Sequence, residues 1–392
     1  MSGACPACVR RGWLLSQLRG PLEYCARDRE RLQAVLALED EAMIEALGGR
    51  RRAELRANHA SFQGDAPQRG EGVEALCRHD RRYPRALLTA PGAPRMLNVL
   101  GGSERLSELC AAPTVAILGS GRPSDYGREM ARSLARALTA SGVSVVAPWQ
   151  DGVALAAHEG AFDARDAAGA SVAVRGEDSE TGGACGCGPV AVLSDGLALA
   201  KPARHRALLS RLVRVGCAVS ELPCDCGGRR WGQLASERTV VGLSAVAVVV
   251  EAEQTVGDLF AAGMAGALGR TVAAIPGRVT SPLSRGTNAL LSDGARLVRD
   301  AEDVLELLYA TDGSRSAASA ATPEGHVAGV PLNAKLRGLL ERVGAGHETP
   351  DSLMRDGISL GEALAGLSEL ELLGLLCRGD GGRYVLTTAL HT

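Results

Sequence analysis

The stretch Val115–Gly127, VAILGSGRPSDYG, decides the fold. Four apolar residues run into Gly-Ser-Gly, and a helical pattern, REMARSLARALTASG, follows at once. This reads as a buried strand, a tight glycine loop and a helix start. Such a turn presents backbone N–H groups and a helix N-terminus, which together favour an anion such as phosphate. Gly119, Ser120, Gly121, Arg122, Tyr126 and Gly127 are therefore the first candidate phosphate contacts. The bland alternative is a strand–helix turn with no ligand.

Outward from this loop, residues 91–310 alternate short apolar runs with helical stretches. VSVVAPW, ASVAVRG, PVAVLSDG, CAVSELP, AVAVVVEA, TVAAIPG and ARLVRD read as further strands. Continuous apolar strands separated by helices point to a parallel α/β sheet, with ligands at the carboxyl ends of its strands. Residues 1–90 read as an N-terminal helical region, with Gly48-Gly49 as a stop signal. The segment 77–102 reads as short turns before the main domain. Residues 311–328 form a small-residue linker, and 329–392 read as three helices and a hairpin, in the order of a winged-helix domain. The third of those helices is acidic and leucine-rich, which favours protein interaction over major-groove reading.

The chain has 392 residues and a formal charge of −2, so bulk charge points to no particular partner. Only Lys201 and Lys335 are lysines, so phosphate contacts fall to arginine. The N-terminus carries no charged-then-apolar leader, and Val240–Ala252 is too short to span a bilayer. A cytoplasmic protein with no membrane association is expected. Its eleven cysteines are then reduced thiols or metal ligands. Cys5-x-x-Cys8, with Cys25 and Cys77, offers half of a zinc pattern. A second Cys-x-x-Cys is missing, and Cys185/Cys187 and Cys224/Cys226 are poorly spaced, so no metal is assigned. No Walker A sequence, nucleophile elbow or dinucleotide fingerprint is present. No catalytic residue or cofactor is assigned.

VAILGSGRPSDYG, AAHEGA, SELP, RTVVGLSAVAVVVEA and IPGRVTSPLSRGTNALLSDGA, taken in order with the C-terminal helices and hairpin, resemble the DprA/Smf family of recombination mediators. The resemblance implies an extended Rossmann-like sheet, homodimerisation, binding of single-stranded DNA and loading of RecA onto incoming strands during natural transformation. It also implies a positive pocket at the strand ends, and adds Gly152, His158, Arg238, Gly257, Pro276, Gly277, Gly286, Thr287 and Asn288 to the candidate site. His158 either faces that pocket or packs on the sheet. The last five fit as rim-shaping residues.

The chain departs from the family pattern in places. The arginine of the first loop stands one residue late, at Arg122. The second loop, Ala147–Ala154, keeps only Gly152 and Val153. The family's Arg-Asn-Arg triplet is Ser236-Glu237-Arg238, and Glu237 puts an acid where an amide is expected. Either DNA contact has moved to arginines such as Arg204, Arg206, Arg229 and Arg230, or the pocket is weakened. EDSETGGACGCG reads as a glycine-rich insertion or local duplication behind a strand SVAVRG. Two other functions compete. A nucleoside-monophosphate phosphoribohydrolase-like enzyme would need a glutamate in its Pro-Gly-Gly motif, where this chain has IPGRVTSPLSRGTNALL. A degenerate scaffold that binds only a partner protein is the third reading.

Overall fold

The computed structural model describes residues 4–62, 72–90, 92–175, 186–199, 205–311, 334–344, 349–355, 358–372, 376–378 and 384–386. The chain divides into two compact units, Met1–Arg315 and Ser316–Thr392.

The first unit is built on a nine-stranded sheet. Its strands are β1 (Val73–Cys77), β2 (Met96–Leu100), β3 (Thr114–Leu118), β4 (Ser144–Pro148), β5 (Pro189–Val192), β6 (Cys217–Ser220), β7 (Val246–Val249), β8 (Thr271–Ala274) and β9 (Arg296–Leu297). Their spatial order is β1-β2-β6-β5-β4-β3-β7-β8-β9. All neighbours from β6 to β9 are parallel, as the apolar runs and helical spacers predict. β2 is antiparallel to both β1 and β6. The sheet is thus mixed, and the stretch expected to be turns supplies most of its antiparallel edge.

Alternation along β3 explains its buried run. Val115 and Ile117 join the core beneath helix Asp125–Ala140, with Ala131, Leu134 and Leu138. Ala116 and Leu118 face the opposite core, where helix Arg229–Leu243 adds Val240 and Val241 and helix Val256–Ala267 adds Ala261 and Ala265. A strand covered on both faces has no solvated side, so alternation is lost from its sequence. Each fully buried Leu, Ile or Val here contributes about 1.5–3 kcal/mol of transfer free energy.

The run SVAVRG does not form a strand. Residues 171–175 end the long helix Val153–Arg175, and the strand beside β4 is β5. The preceding AFDARDAAGA is alanine-rich and free of proline, so the helix propagates through the short β-branched run. Residues 176–185, holding most of the glycine-rich insertion, lie outside the described residues.

Five helices precede the sheet: Pro6–Gln17, Arg19–Cys25, Arg29–Ala37, Asp40–Leu47 and Arg52–Ser61. Leu14, Leu22, Leu32, Met43, Ile44 and Leu55 share a core with Leu222, Trp231 and Leu234 of the α/β region. Arg11 is buried and spans the break between the third and fourth helices. It donates to the Leu36 carbonyl at 2.8 Å, to the Leu38 carbonyl at 2.9 Å and to Asp40 at 2.8 Å. Carbonyls freed at a helix end thereby find a donor.

The second unit contains helices Ala334–Gly344, Pro350–Arg355 and Leu360–Leu372, then the antiparallel pair β10 (Leu376–Arg378) and β11 (Tyr384–Leu386). This is the predicted element order, around a small core of Leu339, Leu353, Leu367 and Tyr384. The expected linker lies outside the described residues, apart from its first residue.

Candidate nucleic-acid interface

The carboxyl ends of β3, β7 and β8 converge on one cleft. Gly119 follows β3, and an added Cβ there would lie 2.8 Å from the Glu251 carbonyl oxygen and 2.8 Å from Val153 Cγ2. Only glycine lets the loops after β3 and β7 approach so closely. The Ser120 amide donates to the Glu251 carbonyl at 2.7 Å, and the Val153 amide donates to the Ser120 carbonyl at 3.1 Å. Gly152 completes the contact with φ +89°, since its Cβ would enter the Ser120–Gly121 backbone.

The helix N-terminus beyond the loop is already occupied. Ser124 caps helix Asp125–Ala140, accepting from the Gly127 amide at 3.1 Å. The Glu251 carboxylate accepts the Ser124 amide at 2.8 Å and the Ser124 hydroxyl at 2.6 Å. Glu251 is buried, and a Cβ on Gly127 would collide with its carboxylate. An internal anion therefore takes the place at the helix dipole that the sequence reading offered to a phosphate. The Arg122 amide is also used, donating to the Ser120 hydroxyl at 3.0 Å. Two side chains of this loop also reach solvent. Arg122 is exposed, with no ion pair among the described residues, and Tyr126 is 52% exposed.

Tyr126 borders an open cleft of about 800 Å³ whose lining also includes Ser124, Glu251, Gly277, Arg278 and Thr280. Arg278 is exposed and likewise has no ion pair among the described residues. It escaped the sequence reading because it lies inside a motif judged to be rim. The rim reading fits Gly277 and Asn288. The Gly277 amide donates to Asn288 Oδ1 at 3.2 Å, and Asn288 Nδ2 donates back to the Gly277 carbonyl at 3.1 Å. Thr287 is buried and donates to the Ser284 carbonyl at 3.1 Å. Gly286 donates to the Ala252 carbonyl at 2.9 Å, joining the β7 and β8 loops. Pro276 is half-buried on the lining.

Two other candidates, His158 and Arg238, stand apart from the solvent. His158 is fully buried, its ring 5.4 Å from that of Trp149. Burial lowers its pKa to about 4, against the pull of the Pro148 and Ala147 carbonyls, so the ring is neutral at pH 7. It packs on the sheet. Arg238 is also buried and pairs with Glu221 at 2.5 Å, while Thr239 donates to the same carboxylate. Its guanidinium is committed inside the protein. Glu237 is half-buried, and desolvation raises its pKa to about 7 against the opposing Arg29 charge, so it is only about half-ionised near pH 7. It carries less of the expected repulsion than its sequence position implies. Gly257 is exposed at the start of helix Val256–Ala267, where its carbonyl accepts from Arg29 at 3.4 Å.

The second loop is closed by Trp149, which packs edge-on to His205 at 5.9 Å. His205 in turn pairs with the half-exposed Asp151 at 3.1 Å. An acid therefore stands on the β4 side, and the free guanidinium groups stand on the β3–β8 side. Of the alternative arginines, Arg206, Arg229 and Arg230 are exposed, and Arg204 lies outside the described residues.

Fold and cleft together define a Rossmann-like α/β protein with an open cleft at its carboxyl-end loops, lined in part by Arg278. The chain belongs to the DprA/Smf family: the model of DNA recombination-mediator protein A matches residues 74–309. A Mycobacterium tuberculosis DNA processing protein DprA is 33% identical over 296 residues, covering 75% of this chain and 69% of that protein. Escherichia coli Smf is 29% identical over 317 residues, covering 79% and 76%. The structure of Streptococcus pneumoniae DprA matches with a TM-score of 0.54 at 24% identity, covering 68% of this chain and 86% of that one. A Helicobacter pylori DprA structure, described by its single-stranded DNA binding mode, matches with a TM-score of 0.50 at 22% identity, covering 61% and 96%. These structural matches carry the fold. Membership places the chain among DNA-binding recombination mediators and not among enzymes. No helix among the described residues is long and apolar enough to cross a membrane.

Proposed function

We propose that the chain binds the backbone of single-stranded DNA along the cleft lined by Tyr126 and Arg278, with Arg122 on the adjoining loop as a further contact. On this reading it acts in the cytoplasm, as a homodimer, and delivers the strand to RecA during transformation. The observation that carries the reading is an open cleft lined by the exposed Arg278 and Tyr126, with Arg122 exposed on the loop that leads to its Ser124. Guanidinium forks suit phosphate, and an aromatic face stacks on a base without reading its edge. Binding is then sequence-tolerant and depends on salt. Family membership supports the recombination role, as does the DNA-binding mode described for the Helicobacter pylori relative.

The test is binding to a labelled oligothymidine and to a duplex of equal length, followed by RecA assembly on strands coated with single-strand-binding protein. Preference for the single strand and faster RecA nucleation are expected. Absence of binding at low salt would leave the scaffold reading. Release of free base from a nucleoside monophosphate would revive the enzyme reading.

A further inference from the structure

Away from the cleft, four metal-binding side chains meet near the start of the chain. Cys5 is the N-cap of helix Pro6–Gln17, and Cys8 lies in that helix's first turn. Cys77 closes β1, and His79 stands in the turn just beyond it. The three sulfurs and a ring nitrogen of His79 lie within 4.8 Å of one another. His79 Nδ1 is 3.4 Å from Cys5 Sγ, 3.5 Å from Cys8 Sγ and 3.9 Å from Cys77 Sγ.

Zinc–sulfur bonds of about 2.3 Å and zinc–nitrogen bonds of about 2.0–2.1 Å give a tetrahedron whose sulfur–nitrogen edges are roughly 3.6 Å. The three observed separations bracket that edge. None of the three cysteines is in a disulfide. The Cys5 amide points at Cys77 Sγ from 3.5 Å, and the helix N-terminus lies beside Cys5 and Cys8. Both place positive polarity where thiolate charge would stand. The ligands come as two tight local pairs, Cys5-x-x-Cys8 and Cys77-x-His79, the usual construction of a zinc site.

We propose that Cys5, Cys8, Cys77 and His79 hold one zinc ion in a closed Cys₃His site. Four protein ligands leave no position for a substrate, so the ion is structural. It joins the first helix to the edge strand β1, beside a small apolar cluster of Cys8, Val9, Ala75, Cys77 and Met96. Cys25, which the spacing alone also offered, instead packs with Leu14, Leu22 and Leu32.

The test is metal analysis of the full chain purified under reducing conditions without chelator, then cobalt(II) substitution. One zinc per chain is expected, with the intense visible bands of tetrahedral cobalt–thiolate coordination. His79 is exposed, so His79→Ala tests the site without opening the core. It should lose the metal and lower the melting midpoint, and a chelator should then lower that midpoint no further. His79→Cys should keep one metal with a shifted cobalt spectrum, and Cys25→Ser should match the wild type. A metal-free, reduced wild-type protein that gives no cobalt spectrum would overturn the proposal. So would zinc retained in His79→Ala, or a disulfide among Cys5, Cys8 and Cys77 in the reduced preparation.

Discussion

The carboxylate of Glu251 grips Ser124 twice, through its amide at 2.8 Å and its hydroxyl at 2.6 Å. The last residue of a buried apolar run thereby fixes the start of the helix that follows β3. It also fills the place where many α/β proteins of this topology bind phosphate. On the proposed reading, DNA contact consequently rests on exposed side chains, above all Arg278 in the cleft and Arg122 on the adjoining loop.

Glu251→Gln leaves shape nearly unchanged but turns an amide donor toward the Ser124 donors. Loss of these charge-assisted bonds should cost about 1–3 kcal/mol of stability, measured by urea unfolding. Affinity for single-stranded DNA should hold or rise in the folded variant, since a buried negative charge leaves the cleft. A fall in affinity with an intact fold would show that Glu251 acts on the DNA directly.

Arg238, which the family resemblance offers as a DNA contact, is enclosed with Glu221. Glu221→Ala leaves that guanidinium buried without its partner and should destabilise the protein by about 3–5 kcal/mol. In whatever fraction remains folded, the salt dependence of DNA binding should be unaltered. A changed slope would return Arg238 to the DNA site.

Two buried titrations shape the pH profile in opposite directions. Glu237 has its pKa raised from 4.5 to about 7, so between these values the unfolded chain releases a proton that the native state keeps. Stability from this group falls as pH rises through that window. Glu237→Gln should therefore gain stability over the wild type at pH 8 and lose the advantage near pH 4, in denaturation series at both values.

His158 works the other way. Its pKa is lowered from 6.5 to about 4, so below pH 6.5 the unfolded chain takes up a proton that the buried ring refuses. Stability from this group falls as pH drops from 6.5 to 4. His158→Gln should flatten that acid arm even where it lowers stability overall.

The parallel part of the fold is legible in the sequence because doubly covered strands must be apolar throughout, as in Val115–Leu118 and Val246–Val249. β1 and β2 are not, because the edge strand VEALC and its neighbour MLNVL carry Glu74 and Asn98 within the run and are set among turn residues. SVAVR misleads because β-branched content outweighs the alanine-rich helix entering it only when read in isolation. At the site, the tight glycine turn after β3 is legible, whereas the packing of Gly119 and Gly152 against neighbouring loops is not. Glu251 as an internal cap was hidden, because its partner Ser124 lies 127 residues away. The pairing of Cys5 and Cys8 with Cys77 and His79 depends on the same kind of long-range contact.

The central claim, that the free arginines of this cleft carry DNA phosphate, is tested most directly by the salt dependence of single-strand binding. Wild type and the double variant Arg122→Ala/Arg278→Ala should be compared across a salt series, with duplex as control. Each lost phosphate contact removes roughly 0.7 from the log–log slope on single strands. The double variant should thus bind more weakly, with a slope shallower by roughly 1.4. An equally steep slope and unchanged affinity in a folded double variant would contradict the account and place the DNA on another surface.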